Sequence, residues 1–246
     1  NIVKSLEGRG KARTAAEKLC LASHSSAPAT ADTCANTFFP QPARHPKYPK
    51  WPEEKQSNDI IDAPFKIQEL IIALKESNCK TASGPDMITY KQLQQLTEDQ
   101  LTLLSIINQA WEDGNLPKEW EHSNVISLPK PNKPPTTSSN PQPISLTSVI
   151  GKVMERMVKK CLTCMLENGK HYHWTQTGFR PHLSTQDTLR GLYEDVLKNL
   201  SPYWPSTIVG IDVKKAFDSV SHDTILRELS ELPVGRRLFN YVRSFL

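Results

Sequence analysis

The sequence predicts an α+β fold in which amphipathic helices surround a few short strands. Several stretches repeat apolar residues at every third or fourth position, which is the spacing of an amphipathic helix. Two shorter runs, SNVISL at 123–128 and STIVGIDV at 206–213, contain β-branched residues and have the length of strands. With 246 residues, the chain is long enough for one or two domains with a sizeable core.

Composition excludes several classes of protein. Thirty Lys and Arg against 26 Asp and Glu give a net charge of +4, a mild basic excess that is compatible with a polyanionic partner. The longest apolar runs, such as 70–74, are far shorter than the ~20 residues that cross a bilayer, so we expect no membrane partner. Five cysteines without a framework spacing favour reduced thiols, which predicts an intracellular protein of the nucleus or the cytoplasm.

Cys161 and Cys164 form a C-x-x-C pair, and His171 and His173 follow closely. Such residues can bind zinc, but both cysteines lie in a strongly periodic helical stretch, and no second C-x-x-C completes a tetrahedral site. We therefore expect two packed thiols on a helix.

The first 60 residues differ from the rest. They are rich in Ala, Ser, Thr and Pro, and the prolines of 40–55 prevent a regular helix there. We predict that residues 1–60 form a partly disordered linker or N-terminal extension with one short helix, and that 61–246 form the domain. Because the chain begins with Asn1 and stops at Leu246 within an apolar helical pattern, we also expect a fragment of a longer polypeptide.

Two helices separated by a turn are predicted next. Residues 67–77 repeat apolar side chains on one helical face, and Gly84 and Pro85 then impose a turn. A second helix is expected to begin at Thr97, which would form a capping box with Gln100. Its predicted apolar stripe comprises Leu101, Leu104 and Trp111, and Gly114 ends it.

A hairpin and further helices follow. The run 123–128 is predicted to pair with PISL at 143–146 across a long polar turn. Residues 148–169 have the clearest helical period in the chain and predict a long buried helix. Ser184 is expected to cap another helix. The run 206–213 predicts a strand that contains Asp212 near its end.

Asp212 is the first candidate for chemistry. A carboxylate at the end of an apolar strand loses solvation unless it is paired or binds a cation, and a hard divalent metal meets that need. Asp218 follows six residues later. Phosphoryl transfer by two metals needs several carboxylates around ions roughly 4 Å apart, and one acid does not suffice. An ordinary strand-end carboxylate is the alternative.

Five segments resemble, in order, the motifs of one enzyme family. They lie at 80–93 (KTASGPDMITYKQL), 114–130 (GNLPKEWEHSNVISLPK), 128–158 (LPK to RMV, with PISL and GKVME), 176–189 (QTGFRPHLSTQDTL) and 210–226 (GIDVKKAFDSVSHDTIL). This series is similar to the reverse transcriptases of non-LTR retrotransposons, of the Jockey-like or I-like kind. The last segment resembles their first palm motif, and the middle one resembles their fingers.

The resemblance implies a right-hand polymerase fold, represented by its fingers and a partial palm, that extends a DNA primer on an RNA template with dNTPs and Mg²⁺. Asp212 would be the catalytic carboxylate and would bind the metal together with the main-chain carbonyl of Val213. Phe217 would be the steric gate against a ribose 2′-hydroxyl, a role that is compatible with core packing.

The resemblance also implies nucleotide-binding residues. Lys130 would approach the triphosphate, unless it is a solvated hairpin lysine. Arg180 would contact nucleotide and template and Gln176 the template or primer, although structural capping by Arg180 is an alternative. Gln142 occupies the nucleotide-binding position where the family usually has an arginine, so a bidentate phosphate contact is lost.

No Y-x-D-D occurs in the 246 residues. We therefore expect the sequence to stop before the second palm acids and the thumb, and the isolated chain to be inactive. Its further partner would be the rest of a retrotransposon polyprotein, including an endonuclease, the remaining palm and the thumb. The alternatives are a non-catalytic nucleic-acid-binding fragment of a degenerate element and a group II intron maturase, although the motif wording favours the retrotransposon.

Overall fold

A computed structural model describes residues 26–38, 48–128, 142–199, 207–213 and 216–246. Its helices are α1 (Ala27–Phe38), α2 (Ile67–Lys75), α3 (Tyr90–Gln95), α4 (Gln100–Asp113), α5 (Lys118–Glu121), α6 (Val149–Asn168), α7 (Thr185–Asp195), α8 (Ala216–Ser219), α9 (His222–Glu231) and α10 (Arg236–Phe245). The strands are β1 (Ser123–Leu128) and β2 (Gln142–Thr147), and a short 3-10 helix covers Leu197–Asn199. This mixture of helices with a small sheet is consistent with the α+β prediction.

The hydrophobic core lies where α2, α4, α6, α9 and α10 pack together. Its fully buried side chains include Leu70, Ile107, Trp111, Met154, Leu226 and Phe239. The Trp111 ring has its centroid 5.0 Å from that of Phe65 and 6.0 Å from that of Tyr241. One core therefore joins the first helices of the predicted domain to its last one.

Residues 48–60 also contact the C-terminal helices. The Trp51 ring packs edge-on against Phe239, with 5.5 Å between the centroids. The Lys55 ammonium donates hydrogen bonds to the carbonyls of Ser230 and Leu232 and lies over the Trp51 ring. The domain boundary at residue 60 stays a prediction. Residues 48–60, on the N-terminal side of that boundary, pack against the C-terminal helices.

Asp62 holds the first turn of α10 from a distant part of the chain. Its carboxylate accepts hydrogen bonds from the main-chain amides of Arg237, at 2.9 and 3.0 Å, and of Leu238, at 3.3 Å. The Ser57 hydroxyl donates to the same carboxylate. These amides begin a helix and have no acceptor within it, so a buried carboxylate at this end stabilises α10.

Replacing Asp62 with Ala should therefore lower the free energy of unfolding by about 2 kcal/mol, the upper range for a lost cap. Urea denaturation followed by circular dichroism would measure the loss. Asp59→Ala is the control because Asp59 is exposed nearby. Equal stability of the two variants would contradict the capping role of Asp62.

The predicted hairpin and long helix are confirmed. Strand β1 pairs antiparallel with β2, with Ile126 opposite Ile144 and Leu128 opposite Gln142. Helix α6 spans 20 residues and ends at Asn168 with Gly169 as its C-cap, and it buries apolar side chains along its first half. The polar turn between the strands, together with Lys130, lies outside the described residues.

The predicted start of the second helix was wrong. Helix α4 begins at Gln100, and its N-cap residue Asp99 makes no side-chain capping bond. The capping box is instead formed by Thr89 and Gln92 at the start of α3. The two pairs have the same spacing, but a turn precedes Gln100, so Thr97 is not the residue that precedes the helix. Gly114 ends α4, as predicted, and the structure shows it in the left-handed conformation.

The predicted apolar stripe of α4 is partly wrong. Trp111 is fully buried, but Leu101 is 67% exposed, and Leu103 and Ile107 face the core in its place. At 3.6 residues per turn, Leu101 lies about 160° around the helix from Leu103, so it is on the face that points away from the core.

The two thiols lie on α6 as predicted, but only one of them is packed. Cys161 is half-buried, and burial raises the pKa of its thiol, whereas Cys164 is exposed. None of the helices in the described ranges combines the length and the apolar character that a membrane span requires.

Candidate functional site

The segment that contains Asp212 is extended but belongs to no sheet. All residues of 207–213 are exposed, and they lie outside any helix or strand. The prediction of a strand ending in a desolvated Asp212 is therefore wrong for this structure. A strand forms only when neighbouring backbone satisfies its amides and carbonyls, and none of the described strands pairs with this segment.

The loop that carries the QTGFRP motif, residues 170–184, connects α6 to α7. Lys170, Phe179 and His182 adopt positive φ angles of 53°, 62° and 63°, which is uncommon for side chains other than glycine. Local hydrogen bonds accompany this conformation: Thr177 bonds Thr188 through their hydroxyls. Contacts of the loop side chains thus hold a backbone that is costly in isolation.

Ser184 caps α7, as predicted. Its hydroxyl accepts a hydrogen bond from the Gln186 amide, and the Asp187 carboxylate accepts one from the Ser184 amide at 2.7 Å. Hydrogen bonds from Ser184 hold the pKa of the Asp187 carboxyl below its ordinary value. This capping box fixes the C-terminal end of the loop.

Arg180 anchors the loop to the end of α6. Its Nη2 donates to Glu167 Oε2 at 2.6 Å and its Nε donates to Oε1 at 3.0 Å, which is a bidentate pair. Its guanidinium also lies 5.0 Å from the centroid of the Tyr172 ring and donates to the Gln176 carbonyl at 3.3 Å. The predicted phosphate-binding fork of Arg180 is thus engaged within the protein.

This pair changes the ionisation of both groups. Hydrogen bonding to Arg180 is the largest cause that lowers the pKa of the Glu167 carboxyl, and the carboxylate in turn raises the pKa of Arg180. Since the folded pKa of Glu167 is depressed, the stabilisation is present above the ordinary glutamate pKa and is lost as pH falls through the folded value.

Replacing Glu167 with Gln should loosen the loop. We expect chymotrypsin to cleave after the exposed Phe179 several-fold faster at pH 8, because the amide forms a weaker pair with Arg180. On acidification, the Trp174 fluorescence of the unsubstituted protein should change as Glu167 is protonated and its pair with Arg180 weakens. The variant should not show this change. Glu194→Gln, in the exposed pair with Arg190, is the control and should leave cleavage unchanged. Identical cleavage of both variants would contradict the anchoring role.

The structure brings the QTGFRP loop next to the start of α8. The Phe179 and Phe217 rings meet edge to face, with centroids 6.3 Å apart at an angle of 88°. Both side chains are exposed, Phe179 to 90% and Phe217 to 86%. Aromatic pairs in this geometry attract one another, so an accessible aromatic pair connects two of the predicted motifs.

Other predicted site residues are less connected. Gln142 is exposed at the first position of β2, opposite Leu128. The hydrogen bonds of the described residues do not join it to Arg180 or Asp212. Gln176 lies in the loop, where its side-chain amide donates to the Gly178 carbonyl at 3.4 Å, and Val213 is 60% exposed. Lys130 and the Asp218 side chain lie outside the described residues.

The turn at Gly84 lies directly against the junction of β2 and α6. A Cβ atom on Gly84 would lie 2.5 Å from the Thr147 carbonyl oxygen and 2.8 Å from the Ser148 amide nitrogen. The first segment of the motif series therefore contacts the end of the hairpin that carries the third.

Sequence reasoning missed three residues of this region. Glu167 and Tyr172 hold Arg180, and Phe179 faces Phe217. Phe179 stands within the QTGFRP motif and could have been found there. Glu167 gives no local signal because it lies 13 residues before its partner, across the loop.

Comparison with known proteins identifies similar sequences. Residues 128–246 match the family model for reverse transcriptase (RNA-dependent DNA polymerase). The chain is 27% identical over 203 residues to the RNA-directed DNA polymerase from mobile element jockey of Drosophila melanogaster, which covers 78% of this chain and 22% of that protein. It is also 27% identical over 170 residues to the probable RNA-directed DNA polymerase from transposon BS of the same organism, covering 69% and 19%.

A third similar protein is the probable RNA-directed DNA polymerase from transposon X-element of Drosophila melanogaster. It is 27% identical over 185 residues, which cover 74% of this chain and 20% of that protein. The chain thus spans between 19% and 22% of the length of these three relatives.

Proposed function

The chain belongs to the reverse transcriptase family, in the form found in Jockey-like non-LTR retrotransposons, and from this premise we propose that it supplies the fingers and part of the palm of an RNA-directed DNA polymerase. The polymerase would join a primer 3′-hydroxyl to the α-phosphate of a dNTP, paired with an RNA template, and release pyrophosphate. The observation that carries the proposal is the family match over 128–246, which contains the QTGFRP loop and the segment with Asp212.

We propose that the accessible pair of Phe179 and Phe217 faces the sugar of the incoming nucleotide. A rigid aromatic edge at this point would collide with an added 2′-hydroxyl and would so favour deoxynucleotides. The contact between the two rings supports this role, because Phe179 restricts the positions that the Phe217 ring can adopt.

The nucleotide and template contacts are proposals of the same kind. Lys130 and Gln142 would face the triphosphate from the hairpin, and Gln176 would face the template or the primer. Arg180 is held by Glu167, so a contact of its full fork with a phosphate requires that pair to open. We propose that Arg180 chiefly positions the loop and reaches a phosphate only after release.

Reverse transcriptases depend on divalent metal ions, and we propose that Asp212 and the Val213 carbonyl belong to an Mg²⁺ site. The described residues supply only part of the ligands that such a site needs. Asp212 is one exposed carboxylate, and no group of three or more His, Cys, Asp or Glu side chains in the described ranges could hold a metal. A two-ion clamp needs further carboxylates, so the described residues alone do not form it.

A chimaera tests the proposal. Residues 128–246 of this chain would replace the matching stretch of the jockey polymerase, and extension of a labelled primer on an RNA template would be measured. We expect extension by the chimaera and none by the purified 246-residue chain with Mg²⁺ or Mn²⁺, because Asp212 alone cannot position two ions.

Two outcomes would contradict this assignment. A folded chimaera that binds RNA but extends no primer would favour a non-catalytic nucleic-acid-binding fragment. Template-dependent incorporation by the 246-residue chain would show that the proposed metal site is complete without further acids.

A further inference from the structure

A groove lies between α6 and α10, formed by residues that the proposed polymerase site does not use. Its volume is about 590 Å³, which falls in the range of binding sites for peptides and small molecules. Leu162 of α6 and Phe245 of α10 supply apolar surface, and Phe245 is 54% exposed. The groove can therefore accept an apolar side chain.

Two residues of the groove lining, Tyr241 and Arg156, each contain a buried polar atom. Tyr241 is only 5% exposed, and its hydroxyl has no hydrogen-bond partner within the described part of the chain. The buried Nε of Arg156 is likewise unpartnered there. Burial raises the pKa of Tyr241 far above its ordinary value, so the hydroxyl remains a donor. Because both of these atoms have almost no exposed surface, an occupant of the groove would contact the Tyr241 ring and not its hydroxyl.

The charges of the groove favour an acidic occupant. Lys152, Arg156 and Lys159 repeat at the spacing of one helical face and line the groove together with a single carboxylate, Glu155. Burial raises the pKa of that carboxyl, because the charged form is poorly solvated. Glu155 therefore favours a hydrogen-bond donor, and Lys152 and Lys159 favour anions. Arg156 already donates from Nη1 to the Glu76 carbonyl at 3.4 Å.

A peptide meets these needs better than a nucleic-acid backbone does. Peptide amides can donate to Glu155, and a peptide side chain can fill the apolar part of the groove, whereas phosphates offer only acceptors and would be repelled by Glu155. The helix rises about 15 Å between Lys152 and Leu162, which corresponds to four or five residues of extended peptide.

We propose that the α6–α10 groove binds a short peptide segment of a partner protein, in which acidic side chains flank an apolar anchor. The acids pair with Lys152 and Lys159, the anchor lies against Leu162 and Phe245, and a peptide amide donates to Glu155. This surface is separate from the proposed polymerase chemistry and is present in the chain as it stands.

Fluorescence anisotropy with the 246-residue chain tests the proposal. The probes are two fluorescein-labelled hexapeptides, acetylated and amidated, of sequence DLFDLE and NLFNLQ. We expect the acidic peptide to bind on the order of tenfold more tightly than its amide counterpart, because its carboxylates can pair with Lys152 and Lys159. A competing oligouridylate should displace it poorly.

Variants locate the binding. Lys152→Glu combined with Lys159→Glu should weaken binding of the acidic peptide about tenfold or more, with circular dichroism confirming the fold. Lys160→Glu is the control, since Lys160 is exposed on α6 outside the groove lining, and it should weaken binding far less. No binding of the acidic peptide, equal binding of both peptides, equal effects of the groove and control variants, or efficient displacement by the oligouridylate would each overturn the proposal.

Discussion

Replacing Asp212 with Asn should lower the primer-extension rate of the chimaera by about a thousandfold or more. A neutral amide is a poor ligand for a hard divalent cation, and a loss of about 4 kcal/mol of transition-state stabilisation corresponds to a rate loss of that size. RNA binding should change little, because Asp212 is exposed and the basic residues of the fingers are untouched. This prediction rests on the proposed polymerase activity.

Steady-state kinetics of primer extension and filter binding of the RNA template would measure the two effects separately. Asp223→Asn is the matched control: it makes the same chemical change at an exposed carboxylate in the first turn of α9. Turnover retained in Asp212→Asn would reject Asp212 as the catalytic carboxylate. A parallel loss of RNA binding would instead indicate damage to the fold.

The sequence predicted best those elements whose signal is local. The period of α6 and the paired runs of the hairpin depend on neighbouring residues, and both elements are present as expected. The capping box of α7 is likewise encoded within four residues. In these elements, the residues that produce the pattern also make the contacts.

The errors and omissions have a different cause. The strand predicted at 206–213 has a strong β-branched pattern but no paired neighbour among the described strands, and composition cannot supply one. The pair of Glu167 with Arg180 crosses a loop, and Asp62 caps a helix 175 residues away in the chain. Contacts of this kind arise only when distant segments pack together. Neither the hydrophobic period nor the motif spacing of the sequence therefore predicts them.

For the candidate site, too, the sequence predicted the local motifs and missed the long-range contacts. The motif series located Gln176, Arg180 and Phe217 in segments that the structure brings together through Phe179. The sequence assigned Arg180 to phosphate because a guanidinium in such a loop is a suitable ligand. The sequence pattern does not indicate that Glu167 is the partner of Arg180. The ion pair with Glu167 is what makes Arg180 an anchor of the loop.

Replacing Gly84 with Ala should destabilise the chain by about 2–4 kcal/mol, the range for a side chain forced into packed surroundings. The added Cβ would lie 2.5 Å from the carbonyl oxygen and 2.6 Å from the carbonyl carbon of Thr147, and 2.8 Å from the Ser148 nitrogen. All three are main-chain atoms where β2 meets α6, so no side-chain rotation relieves the collision. The turn and the hairpin must move apart.

Urea denaturation would measure the loss, and Gly191→Ala is the matched control. No heavy atom lies within 4 Å of a Cβ at Gly191, which stands inside α7, so this change should stabilise the chain by about 0.5–1 kcal/mol. Hydrogen exchange should also accelerate at the β1–β2 amides in Gly84→Ala and stay unchanged in the control, since the turn supports the end of the hairpin. Equal stability of the two variants would show that the turn is free to move away from β2, and the GPD segment would then have no role in holding the hairpin.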